Sequence, residues 1–117
     1  MSTTHPIHRT QIQHYLEIST DLKLVEALPK RYFDEAHLPR AINIPLDQVR
    51  ELAPQQLPDK DQLIVVYCAN TECLNSGKAA KILAEMGYTQ VFEYVEGKQD
   101  WIDHKLPVER AASTQAA

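Results

Sequence analysis

The chain has 117 residues, of which 44% are hydrophobic and 24% charged, a composition that excludes a fibrous or low-complexity protein and fits one compact domain. Its formal net charge is -4 and it has no run of Lys or Arg, which argues against nucleic acid or an anionic membrane as a partner. The longest mainly apolar stretch, residues 63–67, is far shorter than the roughly 20 residues of a membrane span, and the first ten residues lack the apolar segment of a secretory signal. We therefore expect a cytoplasmic protein.

The first helix is predicted to begin at Thr10. Thr10 and Gln13 have the spacing of a capping box, and apolar residues on one helix face follow them. Residues 1–9 are accordingly predicted to be a flexible N-terminus.

Strand and helix patterns alternate along the rest of the chain. The predicted elements are a strand at 22–25, a helix at 30–35, a strand at 41–44, a helix at 46–52, a loop at 54–60, a strand at 63–67, a helix at 76–86, a strand at 91–95 and a helix at 97–104. The β-branched run at 63–67 is typical of a central parallel strand, and Trp101 is predicted to pack in the core. This order predicts an α/β domain with a mostly parallel sheet over residues 10–109, followed by a flexible tail at 110–117.

Cys68 follows the predicted central strand, at the edge of a parallel sheet where ligands usually bind. Backbone N–H groups of the next loop and the positive end of the following helix would stabilise a thiolate or a persulfide anion there. Such surroundings lower the pKa of a cysteine from about 8.5 to between about 3.5 and 7.5. On this evidence alone, a small buried apolar role for Cys68 is the safer interpretation. The residues predicted to form the substrate-binding loop are Ala69, Asn70, Thr71, Glu72, Leu74, Asn75 and Ser76.

Cys73 lies five positions after Cys68, in the same loop. If the loop brings the two sulfurs together, Cys73 resolves a persulfide or sulfenate on Cys68 as a disulfide. An incidental loop cysteine is the equally weighted alternative. A zinc site made of both cysteines and two histidines fits no known spacing, so neither a metal nor another cofactor is expected.

Two motifs span residues 21–109. The first runs from Leu24-Val25-Glu26-Ala27 to His37-Leu38-Pro39-Arg40-Ala41-Ile42-Asn43-Ile44-Pro45, and the second consists of Tyr67, Cys68, Ser76, Ala79, Ala80, Leu83, Gly87, Tyr88, Val91, Gly97, Trp101, Leu106, Pro107 and Val108. Together they resemble the single-domain rhodaneses, a family of sulfurtransferases. The resemblance implies a rhodanese-like fold with a five-stranded parallel sheet flanked by helices. It also implies that Cys68 carries sulfur as a persulfide.

The sequence departs from the rhodanese pattern in the loop after Cys68. This loop is two residues longer than in the common sulfurtransferases, contains no Arg or Lys, and has Asn75 where a basic residue usually precedes the serine. Glu72 adds a negative charge, which repels an anion at short range. Thiosulfate is therefore a doubtful substrate.

The first motif departs from the pattern at the acidic strand end. Leu28 replaces the Arg that pairs with the acidic residue in relatives, and Glu26 is slightly favoured to cap the next helix instead of facing the site. His37 is predicted to make a structural hydrogen bond and not to act in catalysis. Family glycines are replaced at three positions, which should alter local turns more than the fold. These positions are Ala36, Arg40 and Glu96.

These residues are consistent with three functions. The leading one is a sulfurtransferase in which Cys68 takes sulfane sulfur from a small donor or a persulfide-carrying protein and passes it to a thiol acceptor. The second is a thiol redox or persulfide-reducing enzyme that uses a Cys68/Cys73 disulfide. The third is a non-catalytic regulatory module, which the acidic, Arg-free loop favours. A phosphatase or arsenate reductase is disfavoured because these reactions need positive charge around an oxyanion.

Overall fold

A parallel sheet lies at the centre of the domain. The computed structural model describes residues 4–18 and 21–110. The strands are β1 (His5–Pro6), β2 (Leu22–Glu26), β3 (Ile42–Asn43), β4 (Leu63–Tyr67) and β5 (Gln90–Tyr94). They pair in the order β1-β5-β4-β2-β3, and every neighbouring pair is parallel. The predicted α/β fold with a five-stranded parallel sheet is therefore confirmed.

Helices connect the strands and cover both faces of the sheet. They are α1 (Arg9–Glu17), α2 (Lys30–Glu35), α3 (Val49–Gln56), α4 (Asn75–Glu85) and α5 (Gly97–Asp103), and a 3₁₀ turn, Leu46–Gln48, precedes α3. From residue 22 onward, the predicted boundaries agree with these within one residue, except at the end of α3. None of the helices in the described part of the chain has the length and apolar character that a membrane crossing requires.

Alternate residues of each strand supply two separate apolar cores, as the pleat of a strand requires. Val66 of β4 packs on the face that α3 and α4 cover, whereas Val65 and Tyr67 pack on the face that α1 and α5 cover. Trp101 of α5 lies in the second core and is 1% exposed, which confirms its predicted core role.

The central strand β4 has a glutamate beside it on each flank, near the carboxyl edge of the sheet. Glu26 ends β2 and is aligned with Tyr67, while Glu93 of β5 is aligned with Val66. Because Val66 and Tyr67 face opposite sides of the sheet, the two glutamates do so as well.

The N-terminal prediction is wrong for residues 5–9. His5–Pro6 pairs with β5, Ile7 is 2% exposed, and α1 begins at Arg9. The capping interaction uses Gln11, whose side chain accepts the backbone N–H of His8 at 2.9 Å, in place of the predicted Thr10 and Gln13 pair. A two-residue edge strand depends on pairing with β5, far along the chain, so it leaves no local pattern. Residues 1–3 and 111–117 lie outside the described residues.

Helix α3 is longer than predicted. It continues through Pro54 to Gln56, although a proline inside a helix removes one backbone hydrogen bond. The hydroxyl of Tyr88 donates to the carbonyls of Ala53 at 3.1 Å and Leu57 at 2.6 Å, and so supports the end of the helix. The predicted loop at 54–60 is therefore wrong for residues 54–56, because a tertiary contact stabilises a turn that proline disfavours.

Candidate active site

Cys68 is the first residue after β4, and it is 1% exposed. Its carbonyl accepts the backbone N–H of Lys98 at 2.8 Å, and the carbonyl of Ala69 accepts that of Gln99 at 2.8 Å. These bonds need the close approach of Gly97, which has a φ of +73°, and a Cβ there would lie 2.7 Å from the Cys68 carbonyl oxygen. Glycine is thus required at 97, because α5 begins directly against the loop that follows Cys68.

The loop after Cys68 folds back on itself in one tight turn. The side-chain oxygen of Asn70 accepts a hydrogen bond from the N–H of Glu72 at 3.0 Å. The backbone carbonyl of Asn70 accepts one from the N–H of Cys73 at 3.2 Å. This turn returns Cys73 to Cys68, with a Cα–Cα distance of 6.4 Å and a disulfide between the two sulfurs. Of the two alternatives for Cys73, the structure therefore favours the one in which the sulfurs meet.

The first turn of α4 closes the site on its inner side. Ser76 is 1% exposed, and its Oγ lies 3.5 Å from the Sγ of Cys68. The same hydroxyl donates to the Oε2 of Glu93 at 2.8 Å. Asn75, predicted as a loop residue, begins the helix and donates to the carbonyl of Ala27 at 2.9 Å. The sulfur of Cys68 therefore lies among polar groups at the start of an 11-residue helix.

The predicted backbone contacts to the Cys68 sulfur are absent from this disulfide-bonded form. Within residues 4–18 and 21–110, the polar atoms nearest to Sγ are the Ser76 hydroxyl oxygen and the Cys73 carbonyl oxygen, at 3.5 Å each, and a disulfide sulfur has no proton to donate to either. The N–H groups of Asn75, Ser76 and Gly77 have no acceptor in the same residues. Such free N–H groups give a helix N-terminus its affinity for negative charge.

Negative charge predominates around the loop. Glu72, Thr71 and Leu74 are exposed on its outer side. Lys78 in the first turn of α4 is also exposed, as are Arg31 and Arg40. The described residues place no Lys, Arg or His nitrogen within 4.0 Å of the Glu93 carboxylate. The missing loop arginine is therefore not replaced by a cation at Glu93.

Glu26 does not cap the next helix, so that prediction is wrong. It is completely buried, and its carboxylate accepts the ammonium group of Lys98 at 2.8 Å and the hydroxyl of Tyr67 at 2.7 Å. Lys98 also donates to the carbonyls of Tyr32 at 2.9 Å and Ala36 at 2.7 Å. Burial raises the pKa of Glu26, although the Lys98 and Tyr67 hydrogen bonds oppose this effect.

Lys98 thus supplies the cation that the sequence lacks at Leu28. Sequence reasoning missed it because β2 and α5 are 72 positions apart along the chain at this contact. The sequence did contain one indication of this pair. Glu26 lacks its usual basic partner, and a buried carboxylate requires a cation.

His37 makes the structural contacts that were predicted for it. Its Nδ1 lies 2.7 Å from the carbonyl oxygen of Phe33, and its ring stacks on that phenyl ring with centroids 3.7 Å apart. Its backbone exchanges two hydrogen bonds with Glu109, at 2.9 and 2.8 Å. These contacts attach the C-terminal segment to the loop after α2.

The replaced family glycines change only the local backbone. Arg40 has a φ of +67° and so adopts the left-handed conformation that glycine favours, at a cost of about 1–2 kcal/mol. Ala36 is extended, and Glu96 has helical angles as the N-cap of α5.

Metal ligands are not grouped in the described part of the chain, where no three His, Cys, Asp or Glu side chains are placed to hold an ion. The groups that the structure brings together at the site are two sulfurs, a serine hydroxyl and a carboxylate.

These features define a class of protein: an α/β domain with a buried cysteine at the end of its central parallel strand. The model of the Rhodanese-like domain family matches residues 11–104. This match covers most of the chain, which therefore belongs to the rhodanese-like domain family.

Three curated relatives show the range of this family. The thiosulfate sulfurtransferase PspE of Escherichia coli is 45% identical over 64 residues, which cover 55% of this chain and 59% of PspE. The adenylyltransferase and sulfurtransferase UBA4 of Candida albicans is 37% identical over 93 residues, which cover 72% of this chain and 21% of UBA4. The HTH-type transcriptional regulator Rv0324 of Mycobacterium tuberculosis is 29% identical over 92 residues, 79% of this chain and 39% of Rv0324. The matches span less than two thirds of each relative, and the relatives include a regulator as well as sulfurtransferases.

Solved structures share the architecture. An Escherichia coli rhodanese solved with anions has a TM-score of 0.65 and 33% identity, covering 77% of this chain and 99% of that chain. The BH2092 protein of Bacillus halodurans has a TM-score of 0.84 at 24% identity, covering 91% of this chain and 77% of that one. The second likeness supports the fold alone.

Proposed function

We propose that this protein is a sulfurtransferase that carries sulfane sulfur as a persulfide on Cys68. The observation that carries the proposal is the position of the Cys68 Sγ, which is buried after β4 and lies 3.5 Å from Ser76 in the first turn of α4. The free N–H groups of that turn favour a negatively charged sulfur.

The Cys68–Cys73 disulfide supports this proposal, because Cys68 bonds a second sulfur within its own loop. In a persulfide, one sulfur atom is bonded to the Cys68 Sγ, and in the disulfide the Sγ of Cys73 is bonded to the same atom. When Cys73 is reduced and moves away, the loop leaves space for one transferred sulfur atom. This supports a sulfur-carrying role over that of an inert buried thiol.

The charges of the site favour a thiol-bound sulfur donor. Residues 69–75 contain no Lys or Arg, and Glu72 and Glu93 both lie at this end of the sheet. Carboxylates near a binding site oppose a dianion such as thiosulfate. We therefore propose a small organic persulfide or a persulfide-carrying protein as the donor and a thiol as the acceptor.

The test is intact-mass measurement of the reduced protein after incubation with an organic persulfide and, separately, with thiosulfate. We expect one added sulfur atom in the parent and in Cys73→Ser, and none in Cys68→Ser. Loading by the persulfide should exceed loading by thiosulfate. If neither donor adds sulfur to Cys68, the enzymatic proposal fails and the regulatory alternative is favoured.

A second candidate function follows from the disulfide itself. In this cycle the Cys73 thiol attacks the Sγ of the Cys68 persulfide, the Cys68–Cys73 disulfide forms, and the outer sulfur leaves as hydrosulfide. The outer sulfur is thereby reduced, the two cysteines are oxidised, and an external dithiol reductant must reopen the disulfide. The protein would then act as a persulfide reductase.

The two functions differ in their need for Cys73. With a dithiol reductant present, sulfide release should continue over many turnovers in the parent and stop in Cys73→Ser if the reductase cycle operates. Transfer to a separate thiol acceptor should survive in Cys73→Ser if Cys68 acts alone. Both cycles need reduced cysteines, so we propose the reducing cytoplasm as the location.

A further inference from the structure

A serine connects the sulfur of Cys68 to the carboxylate of Glu93. The Sγ of Cys68 lies 3.5 Å from the Oγ of Ser76, and that hydroxyl donates to the Oε2 of Glu93 at 2.8 Å. Ser76 is 1% exposed, so water does not replace either contact. The three groups form a chain of contacts from the end of β4 to the neighbouring strand β5.

The direction of the Ser76 hydrogen bond determines whether the proton or the lone pairs of the Ser76 hydroxyl face the Cys68 sulfur. A hydroxyl has one proton, and here it is given to Glu93, so Ser76 offers only lone pairs to the sulfur. A thiol can donate its proton to these lone pairs, whereas a thiolate has nothing to donate and meets an acceptor. The arrangement therefore favours the protonated form of Cys68.

We propose that Glu93 is a positioning residue that holds the Ser76 hydroxyl away from the sulfur and so opposes formation of the Cys68 thiolate, which the free N–H groups of α4 favour. The inference rests on the proposed function only in taking Cys68 as the reactive atom. It implies that sulfur loading becomes faster as the pH rises, because the thiolate is the nucleophile.

The surroundings of Glu93 keep this hydrogen bond in place. Its two carboxylate oxygens lie 3.4 and 3.6 Å from the point where a Cβ of residue 77 would be, so the carboxylate faces the first turn of α4. That end of a helix attracts negative charge and so favours this position of the side chain beside Ser76. Within the described residues no cationic nitrogen within 4.0 Å competes with Ser76 for it.

Other ionisable groups surround this end of the sheet, and each differs from Glu93 in its partner or its exposure. Lys98 is paired with Glu26, Glu96 lies 3.4 Å from His8, and Glu72 and Lys78 are exposed. These groups, on the loop, on α4, on α5 and its N-cap, and on β1 and the segment after it, are Glu72, Cys73, Lys78, Glu96, Lys98, His5 and His8. In contrast to these, Glu93 shares a buried hydroxyl with the sulfur.

The test measures how fast iodoacetamide alkylates reduced Cys68 as a function of pH. The parent for this experiment is Cys73→Ser, in which Cys68 is the one remaining cysteine of the chain. Intact mass follows the reaction from about pH 5 to about pH 10, a range that brackets ordinary thiol titration. No sulfur donor is used, so the result is independent of whether the protein transfers sulfur.

In Glu93→Gln we expect the half-maximal pH of alkylation to fall by about one unit, which makes alkylation about tenfold faster near pH 7. In Ser76→Ala, adding Glu93→Gln should change the curve much less, because no hydroxyl connects the two groups. Glu51→Gln makes the same chemical change at an exposed position of α3, outside the Cys68, Ser76 and Glu93 contacts, and should leave the curve unchanged.

Two outcomes would overturn the proposal. One is an unchanged curve in Glu93→Gln; the other is a shift of the same size with and without Ser76, which indicates simple charge repulsion. The variant Glu93→Asp tests the proposal even if Glu93→Gln does not fold. It keeps the charge but shortens the side chain, which moves the carboxylate away from Ser76. We expect its curve to move toward that of Glu93→Gln, whereas charge repulsion alone would leave it with the parent.

Discussion

Two glutamates flank the central strand at the same end of the sheet, and their surroundings are opposite. Glu26 is 0% exposed and hydrogen-bonded to both Lys98 and Tyr67, whereas Glu93 is half-buried, is hydrogen-bonded to Ser76 and has no cation within 4.0 Å among residues 4–18 and 21–110. A fully buried carboxylate must be paired, while a half-buried one at a helix N-terminus can keep its charge unpaired. The comparison teaches that the same residue type stabilises the fold on one flank and affects the sulfur on the other.

The largest expected effect comes from removing the partner of Glu26. Lys98→Met leaves a buried carboxylate without its cation and should lower the free energy of unfolding by about 3–5 kcal/mol. Burial already raises the pKa of Glu26, and without Lys98 it rises further. The ionised form is then the destabilised one, so the loss should increase as the pH rises above about 4.5.

Urea unfolding of Lys98→Met at several pH values measures this loss. Its control is the double variant Glu26→Gln with Lys98→Met, which removes the charge as well and should recover much of the stability. A single variant within 1 kcal/mol of the parent at neutral pH would show that the pair does not stabilise the flank.

The second largest effect is expected at Gly97, where α5 begins against the loop that follows Cys68. In Gly97→Ala, a Cβ would lie 2.7 Å from the Cys68 carbonyl oxygen at a φ of +73°, and we expect a loss of about 3 kcal/mol together with impaired sulfur loading. Gly87→Ala is the matched control, because its φ is +102° but its nearest neighbour is the flexible Lys60 Nζ at 3.9 Å.

Thermal unfolding and the mass assay for sulfur loading separate the two glycine variants. Gly87→Ala should cost about 1 kcal/mol and leave loading intact. Equal losses in both variants would mean that backbone strain alone, and not contact with the Cys68 loop, explains the need for glycine at 97.

Asp100 on α5 is partly buried, as Glu93 is, but it is paired with a cation, as Glu26 is. Burial alone would raise its pKa, but hydrogen bonds from Tyr94 at 2.5 Å and Arg9 at 3.2 Å lower it below the ordinary value. A lowered pKa stabilises the fold above the unfolded value of 3.8, and this contribution is lost as the pH falls through the folded value.

We therefore expect Asp100→Asn to lose about 1–2 kcal/mol at neutral pH, measured by urea unfolding. The difference from the parent should shrink in acid, below the ordinary carboxyl range. A difference that stays constant with pH would assign the effect to packing instead of charge.

The smallest expected effect on stability is that of Glu93→Gln. The amide keeps the size of the carboxylate and no ion pair within the described residues is broken, so the free energy of unfolding should change by less than about 0.5 kcal/mol. A loss of several kcal/mol in chemical denaturation would instead make Glu93 a structural residue like Glu26.

Local pattern predicted most of the fold and part of the candidate site. The β-branched run at 63–67 and the apolar spacing at 76–86 indicated β4 and α4, and Cys68 between them followed as the loop residue. Glu93 also left a signal, since it is a charged residue within an otherwise apolar strand pattern. That signal showed a polar contact on one face, but it did not show the contact with Ser76.

The sequence by itself determined the order of strands and helices, the position of Cys68 and the absence of a basic residue from its loop, because these depend on neighbours along the chain. Tertiary structure alone decided that His5–Pro6 joins the sheet, that Lys98 pairs with Glu26, and that Ser76 lies between Cys68 and Glu93. Apart from the contact between Cys68 and Ser76, which are eight positions apart, these contacts join different strands and helices of the fold. Their partners are selected by burial and by the register of the sheet, which no local pattern encodes.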